Sequence, residues 1–357
     1  MKSNIDVQLI KNSLINGTTK TKKQSITRNT KTKIQKCDFF SINEIKICNK
    51  IKKIPYFSNY FSIVTNYSLI TVGEMSEVVF EQIVDKDAHI SENYVLIEYN
   101  TENKSKMPDL NMFLFNLPSP KLFVFHILDS YSYLLESLIQ LCDKNICFFD
   151  LCPENIGFNG NYKPLLQNFQ LSLLYTTLNE EYIANIITKI KDYTHKPLEI
   201  HLLFYLIANN EVSISYSLME TICTNYMNNM SVLSFFSQKY RDSYKKACEE
   251  FLKQYINRPK TEIIQELLMY HDKWDNYSIS VIYLHIVGHI SQVFALKDTF
   301  INKMAIQLSR NLHPNPSKRE TLSNSKEFFD MLFNEYTDWS FISDISCIKL
   351  NNLYEIL

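Results

Sequence analysis

The stretch ICFFDLCPENIGFNGNYKPLLQNFQLS, residues 146–172, sets a carboxylate and an amide five positions apart, at Asp150 and Asn155. Eighteen residues past the aspartate comes Asn168-Phe169-Gln170. Pro153 stiffens the backbone between the first two, because its ring locks φ. Short apolar pieces, Ile146–Phe149, Ile156–Phe158 and Leu165–Phe169, alternate with Pro, Asn and Gly, so the segment reads as short strands joined by turns. Taken alone, Asp150 and Asn155 fit a turn in which both side chains cap backbone groups. The neighbouring sequence decides whether they carry chemistry.

On the N-terminal side, KLFVFHILDSYSYLLESLIQLCDKN (121–145) is a long helix whose apolar residues cover most of its surface, which predicts burial on several sides. Further upstream, FFSINEIKICNKIKKI (39–54) repeats Ile42, Ile45, Ile51 and Ile54 at helical spacing, with Lys opposite. Ser41 and Glu44 stand at capping-box spacing, and Pro55 closes the helix. FSIVTNYSLITV (61–72) and ENYVLIEYN (92–100) read as strands. From Glu180 onward helical patterns dominate. The fold class is therefore α+β: a small sheet-rich front over 1–100, a polar break at 101–107, a helical body over 101–340 and a tail over 341–357.

Composition narrows the classes. Of 357 residues, 45% are apolar and 21% charged, which excludes global disorder. The net charge of −1 gives no whole-molecule attraction to nucleic acid or membrane. Residues 1–36 depart from this balance, with nine Lys/Arg against Asp6 alone. That basic arm reads as short strands plus a loop, with nucleic-acid contact as the alternative. Eight scattered cysteines without a CxxC pair suit reduced thiols, and the eight histidines read as ordinary polar or core residues. No apolar run reaches membrane-spanning length and no signal-peptide core opens the chain, so an intracellular, cytoplasmic protein is expected. Abundant Asn, Ile and Lys match the codon bias of AT-rich genomes, as in many large DNA viruses. Only five glycines occur, and a phosphate-cradling loop needs several close together.

Asp150-Leu151-Cys152-Pro153-Glu154-Asn155 resembles the catalytic loop D-L-x-P-x-N of eukaryotic-type protein kinases. Asn168-Phe169-Gln170-Leu171-Ser172 stands in place of that family's D-F-G-L-S. KPLEIH (196–201) resembles its A-P-E segment, WDNYSISVIYL (274–284) its buried D-x-W-S helix, and NPSKRETLSNSKEFF (315–329) its late D-P-x-x-R-x-T segment. Glu44 looks like the small-lobe helix glutamate and LIEYN (96–100) like the strand leading to the hinge. The resemblance covers roughly 30–335 and implies a bilobal fold binding ATP and Mg²⁺, with a protein as substrate or partner. It implies Asp150 as the catalytic carboxylate that orients a hydroxyl, Asn155 and Asn168 as metal and cofactor ligands, and Glu44 as partner of a phosphate-binding lysine. It also implies a buried Glu199–Arg319 pair, and Asp275 bracing the loop backbone.

The departures fall on the chemistry. Phe148-Phe149 replace the family's His-Arg, Cys152 its lysine, Asn168 its metal-binding aspartate and Gln170 its hinge glycine. Gly17 stands alone in LINGTTKTKK, and the lysine for Glu44 is not singled out among Lys31, Lys33 and Lys36. A unit-charge pair at ~4 Å is worth about 4 kcal/mol at an effective dielectric of about 20, so an amide at a carboxylate's place weakens a divalent-metal site severely. Asparagine can still offer a metal one neutral oxygen. The expectation is a pseudokinase acting through protein binding. The alternatives are a divergent Ser/Thr kinase using ATP and Mg²⁺, and a structural or virion protein that retains only the fold. About seventy residues between Glu199 and Asp275 have no family counterpart, and 205–270 reads as a helical insertion that could dock a partner.

Overall fold

Thr30–Lys36 (β1), Val64–Thr71 (β2) and Asn93–Asn100 (β3) pair antiparallel in the order β1-β3-β2. The register sets Ile34 against Leu96 and Leu69 against Val95, with an irregularity between Val64 and Asn66. Alternation in β3 buries Val95 and Ile97 on one face, and helix α1 (Phe39–Ile51) joins them in one core through Ile45, Cys48 and Ile51. The computed structural model describes residues 30–71, 73, 92–100, 108–208 and 212–354. The basic arm through position 29, with its Gly17, and the polar break at 101–107 lie outside the described residues.

Helix α1 starts earlier than the Ser41/Glu44 spacing predicts. Asp38 is its N-cap, its Oδ1 accepting the backbone N–H of Phe40 and Ser41 at 3.0 Å, while Ser41 Oγ accepts the Asp38 N–H at 3.0 Å. An aspartate three residues upstream satisfies the orphan amides better than a serine already inside the helix. Glu44 is thereby released from capping and turns inward.

The helical body begins with α2 (Leu110–Phe115) and α3 (Pro120–Cys142), the latter capped by Ser119 with proline in its first turn. α3 is long and apolar enough to cross a membrane by composition alone, but 61% of its most apolar window is buried inside the protein. Its apolar residues serve the core: Leu134, Leu135, Leu138 and Leu141 are all fully buried. After it come the short strands β4 (Ile146–Cys147), β5 (Ile156–Phe158), β6 (Pro164–Leu166) and β7 (Leu173–Leu174), pairing β4 with β7 and β5 with β6. Backbone bonds from Ser62 N–H to Leu166 O at 2.9 Å and from Leu166 N–H to Tyr60 O at 3.0 Å tie this region to the chain just before β2.

The remaining helices are α4 (Glu180–Ile187), α5 (Leu198–Ala208), α6 (Tyr216–Asn229), α7 (Gln238–Lys253), α8 (Lys260–Leu268), α9 (His271–Val293), α10 (Phe300–Arg310), α11 (Leu322–Glu335) and α12 (Cys347–Tyr354). The segment 205–270 is built into the core rather than attached to it. Tyr226 of α6 exchanges hydroxyl hydrogen bonds of 2.8 Å with Tyr244 of α7 and with Tyr277 of α9, and Tyr244 donates to Leu312 O. Phe235 lies on α9 at Gly288, where a Cβ would come within 2.4 Å of its ring. The stretch after 341 is likewise docked, burying Leu350 and Leu353 of α12.

Candidate functional site

Asp275 of α9 organises the loop after β4. Its two carboxylate oxygens accept the backbone N–H groups of Phe148 and Phe149, both at 2.7 Å. It is buried, and desolvation raises its pKa against the lowering effect of those two N–H groups. The bonds hold Phe149 at φ 65°, a left-handed conformation that a bulky residue rarely adopts. Asp150 N–H turns back to Phe148 O at 2.7 Å, which leaves the Asp150 side chain 28% exposed at the edge of a cleft. Phe149 thus contributes an apolar ring to the core and a strained backbone to the turn.

Asp150, Asn155 and Asn168 come together. Asn155 Nδ2 donates to the backbone oxygen of Asp150 at 2.8 Å and to its Oδ2 at 3.0 Å. Asn168, also left-handed at φ 65°, donates its Nδ2 to Asn155 Oδ1 at 2.7 Å. The three side chains form a single line of hydrogen bonds along a cleft of about 520 Å³ between the start of α1, β1 and the loop.

One participant is absent from the sequence reading. Lys196, just before α5, is buried, and its Nζ lies 3.5 Å from Asp150 Oδ1. The same ammonium donates to Phe149 O and sits 4.8 Å from the centre of the Phe149 ring. A cation from outside the loop therefore reaches Asp150. Nothing in the local pattern of KPLEIH marks this lysine. Burial first, then the charges of Asp150 and Glu154, push the Cys152 thiol up to about 12, which favours the protonated form.

Glu44 stands behind the cleft rather than on it. Its Oε1 accepts the Tyr99 hydroxyl at 3.1 Å, and its Oε2 accepts Gln35 Nε2 at 3.4 Å and Gln170 Nε2 at 3.2 Å. No lysine among the described residues forms an ion pair with it. Of the three lysines left open by the sequence, Lys33 and Lys36 line the cleft and the Lys31 side chain lies outside the described residues, while Gln35 of β1 bonds Glu44. Burial raises the Glu44 pKa, partly offset by the hydrogen bond from Gln170 and the charge of Lys33. Beside it, Asn43 Nδ2 donates to Gln170 O at 2.9 Å and Ser172 O at 2.8 Å, while Tyr182 OH donates to Asn43 Oδ1 at 2.5 Å. α1 is therefore bolted to the chain that follows Asn168.

A divalent cation fits this donor set poorly. Asn155 Oδ1 already accepts from Asn168, and the one carboxylate of the triad is engaged by Asn155 and Lys196. Hard cations require several oxygens free to coordinate, carboxylates first among them. Among the described residues no group of three His, Cys, Asp or Glu could hold a metal ion. His285 and His289, four apart on α9, instead pack their rings on Phe235.

Away from the cleft, Arg319 Nη1 and Nη2 meet Glu199 Oε1 and Oε2 at 2.6 and 2.9 Å, and both side chains are fully buried. This fork braces α5 against the chain before α11. No protein-family model matches the chain, and no curated protein shows significant similarity to it.

Proposed function

We propose that this chain is a bilobal protein-kinase-like protein, that its phosphotransfer site is degraded, and that it acts by binding other proteins. The order of elements supports the reading: an antiparallel sheet with one helix, a long buried helix, a loop held from behind by a buried aspartate, and a buried Glu–Arg fork. The observation that carries the loss of catalysis is the hydrogen-bonded line Asn168–Asn155–Asp150, where amides cap one another at the positions from which oxygens would grip a metal. Glu44, held among the described residues by two glutamines and a tyrosine and by no lysine, supports the same reading. The bolt through Asn43 favours one fixed arrangement of α1, which suits a binding platform better than a cycle of opening and closing.

The test is transfer of labelled phosphate from ATP to the protein itself and to a generic Ser/Thr substrate, with Mg²⁺ or Mn²⁺. No transfer above that of the Asp150→Asn variant is expected. Metal-dependent transfer that disappears in Asp150→Asn would overturn the reading.

A divergent Ser/Thr kinase is the second reading, and one contact favours it. Asp150 remains at the cleft with a cation 3.5 Å away on Lys196, so a carboxylate and a lysine are still paired where a hydroxyl would be oriented. On that reading ATP and a divalent cation would be needed, and Lys196→Met would abolish transfer along with Asp150→Asn.

A further inference from the structure

We propose that the cleft takes a polyphosphate-type anion directly on lysine ammoniums, without a divalent cation. The proposal deepens the reading above and rests on it for the location of the ligand, but its physical basis is the charge of the cleft itself. Lys33, Lys36 and Lys189 line the cleft, against the carboxylates of Asp38 and Asp150. Both carboxylates are engaged. Asp38 Oδ1 caps the first turn of α1, and Asp150 is met by Lys196 and Asn155. Lys36 pairs with Glu92 at 3.2 Å on the rim. Lys33 and Lys189 form no ion pair among the described residues. Lys189 rests its ammonium over the Phe40 ring at 5.2 Å, and Lys33 acts on buried Glu44 only through its field.

A metal-dependent phosphate site needs carboxylates, because the cation must be held before it can neutralise the phosphates. An amide at Asn168, where the resemblance implies an aspartate, removes the carboxylate that would anchor the cation. It also removes the negative charge that would repel a bare phosphate. What remains is a cleft faced by Lys33 and Lys189, with no ion pair to either among the described residues, together with amide side chains and room for a chain of phosphoryl groups, which is the chemistry of direct anion binding. The ligand could be a free polyphosphate or the phosphate tail of a nucleotide, since the groups named here meet only the shared phosphoryl oxygens.

Titration calorimetry on the full chain in EDTA separates the possibilities, with tripolyphosphate, ATP and adenosine as probes. Tripolyphosphate and ATP are expected to bind and adenosine not. Affinity should fall steeply as salt rises from about 50 to about 500 mM, because the lysines are exposed to screening. Lys33→Ala and Lys189→Ala should each weaken binding about fivefold and leave the ligand-free melting temperature unchanged, since both side chains are exposed. Binding that requires Mg²⁺, absence of tripolyphosphate binding in EDTA, or binding that neither substitution weakens would overturn the proposal. A blank titration in EDTA leaves the non-catalytic reading standing. Metal-dependent phosphate transfer removes that reading without deciding the EDTA result.

Discussion

Lys196 Nζ lies 3.5 Å from Asp150 Oδ1 and donates to the carbonyl of Phe149, so a lysine at the start of α5 reaches the loop after β4. The ammonium is buried, and its carbonyl acceptor lies within a turn already strained at Phe149. Lys196→Met should therefore destabilise the protein by about 1–3 kcal/mol, the cost of losing a charge-assisted bond to a buried acceptor. Chemical denaturation measures it. A change under about 0.5 kcal/mol would mean that the contact is incidental.

Asn168→Asp puts a carboxylate against Asn155 Oδ1, which now accepts from the Asn168 amide at 2.7 Å. Without metal the variant should lose about 1–2 kcal/mol, because a donor becomes a second acceptor. Millimolar Mg²⁺ should raise its melting temperature and leave the parent's unchanged. A parent that responds to Mg²⁺ as strongly as the variant would show that the amides already coordinate metal.

Arg319→Met leaves Glu199 buried with no cation and should cost about 3–5 kcal/mol by urea denaturation. The double variant Arg319→Met with Glu199→Leu should cost less than the single one, since the stranded charge is gone. Equal costs would point to lost packing rather than to the uncompensated carboxylate.

Asn43→Ala removes two donated bonds and one accepted bond at a buried site. The expected loss is about 2–4 kcal/mol, with hydrogen exchange accelerating in 169–174 more than in α3. Uniform acceleration along the chain would mean that Asn43 supports the whole fold and not this junction.

Glu44 carries a pKa raised by burial above its ordinary 4.5. In the unfolded chain it releases its proton near 4.5; in the folded protein it does so only at higher pH. Its contribution to stability is thus fully present below 4.5 and is lost as pH rises through the folded value. Glu44→Gln, neutral throughout, should gain on the parent as pH climbs from 4.5 toward 7. Melting curves of the two proteins across that range give the difference, and a constant offset would contradict it.

Much of the fold was legible because it is written in local periodicity. The three-and-four spacing of Ile42, Ile45 and Ile51 marks α1, the β-branched runs mark β2 and β3, and the apolar surface of 121–145 marks α3. The spacing of Asp150 and Asn155 alone fits a capping turn, and only the resemblance grouped them with Asn168 and singled out Asp275, Glu199 and Arg319; in space the first three share hydrogen bonds, Asp275 holds the loop backbone and Glu199 meets Arg319. The true N-cap of α1 was missed because Asp38 and Ser41 both suit the role, and only the direction of the chain entering from β1 chooses between them. The depth of 205–270 was missed because a helical pattern shows which face is apolar, not what will cover it.

Residue order alone was enough for the α+β class and for the helices and strands, since each of these depends on neighbours along the chain. Packing settled the rest: Gln35 hydrogen-bonded to Glu44, Lys196 beside Asp150, and Lys33 and Lys189 facing one cleft with no ion pair among the described residues. Those meetings join residues far apart in the chain, and they follow from how α1, β1 and the start of α5 press against the loop. Hydrogen bonds and charges act over a few ångströms of space, whatever the number of residues between them.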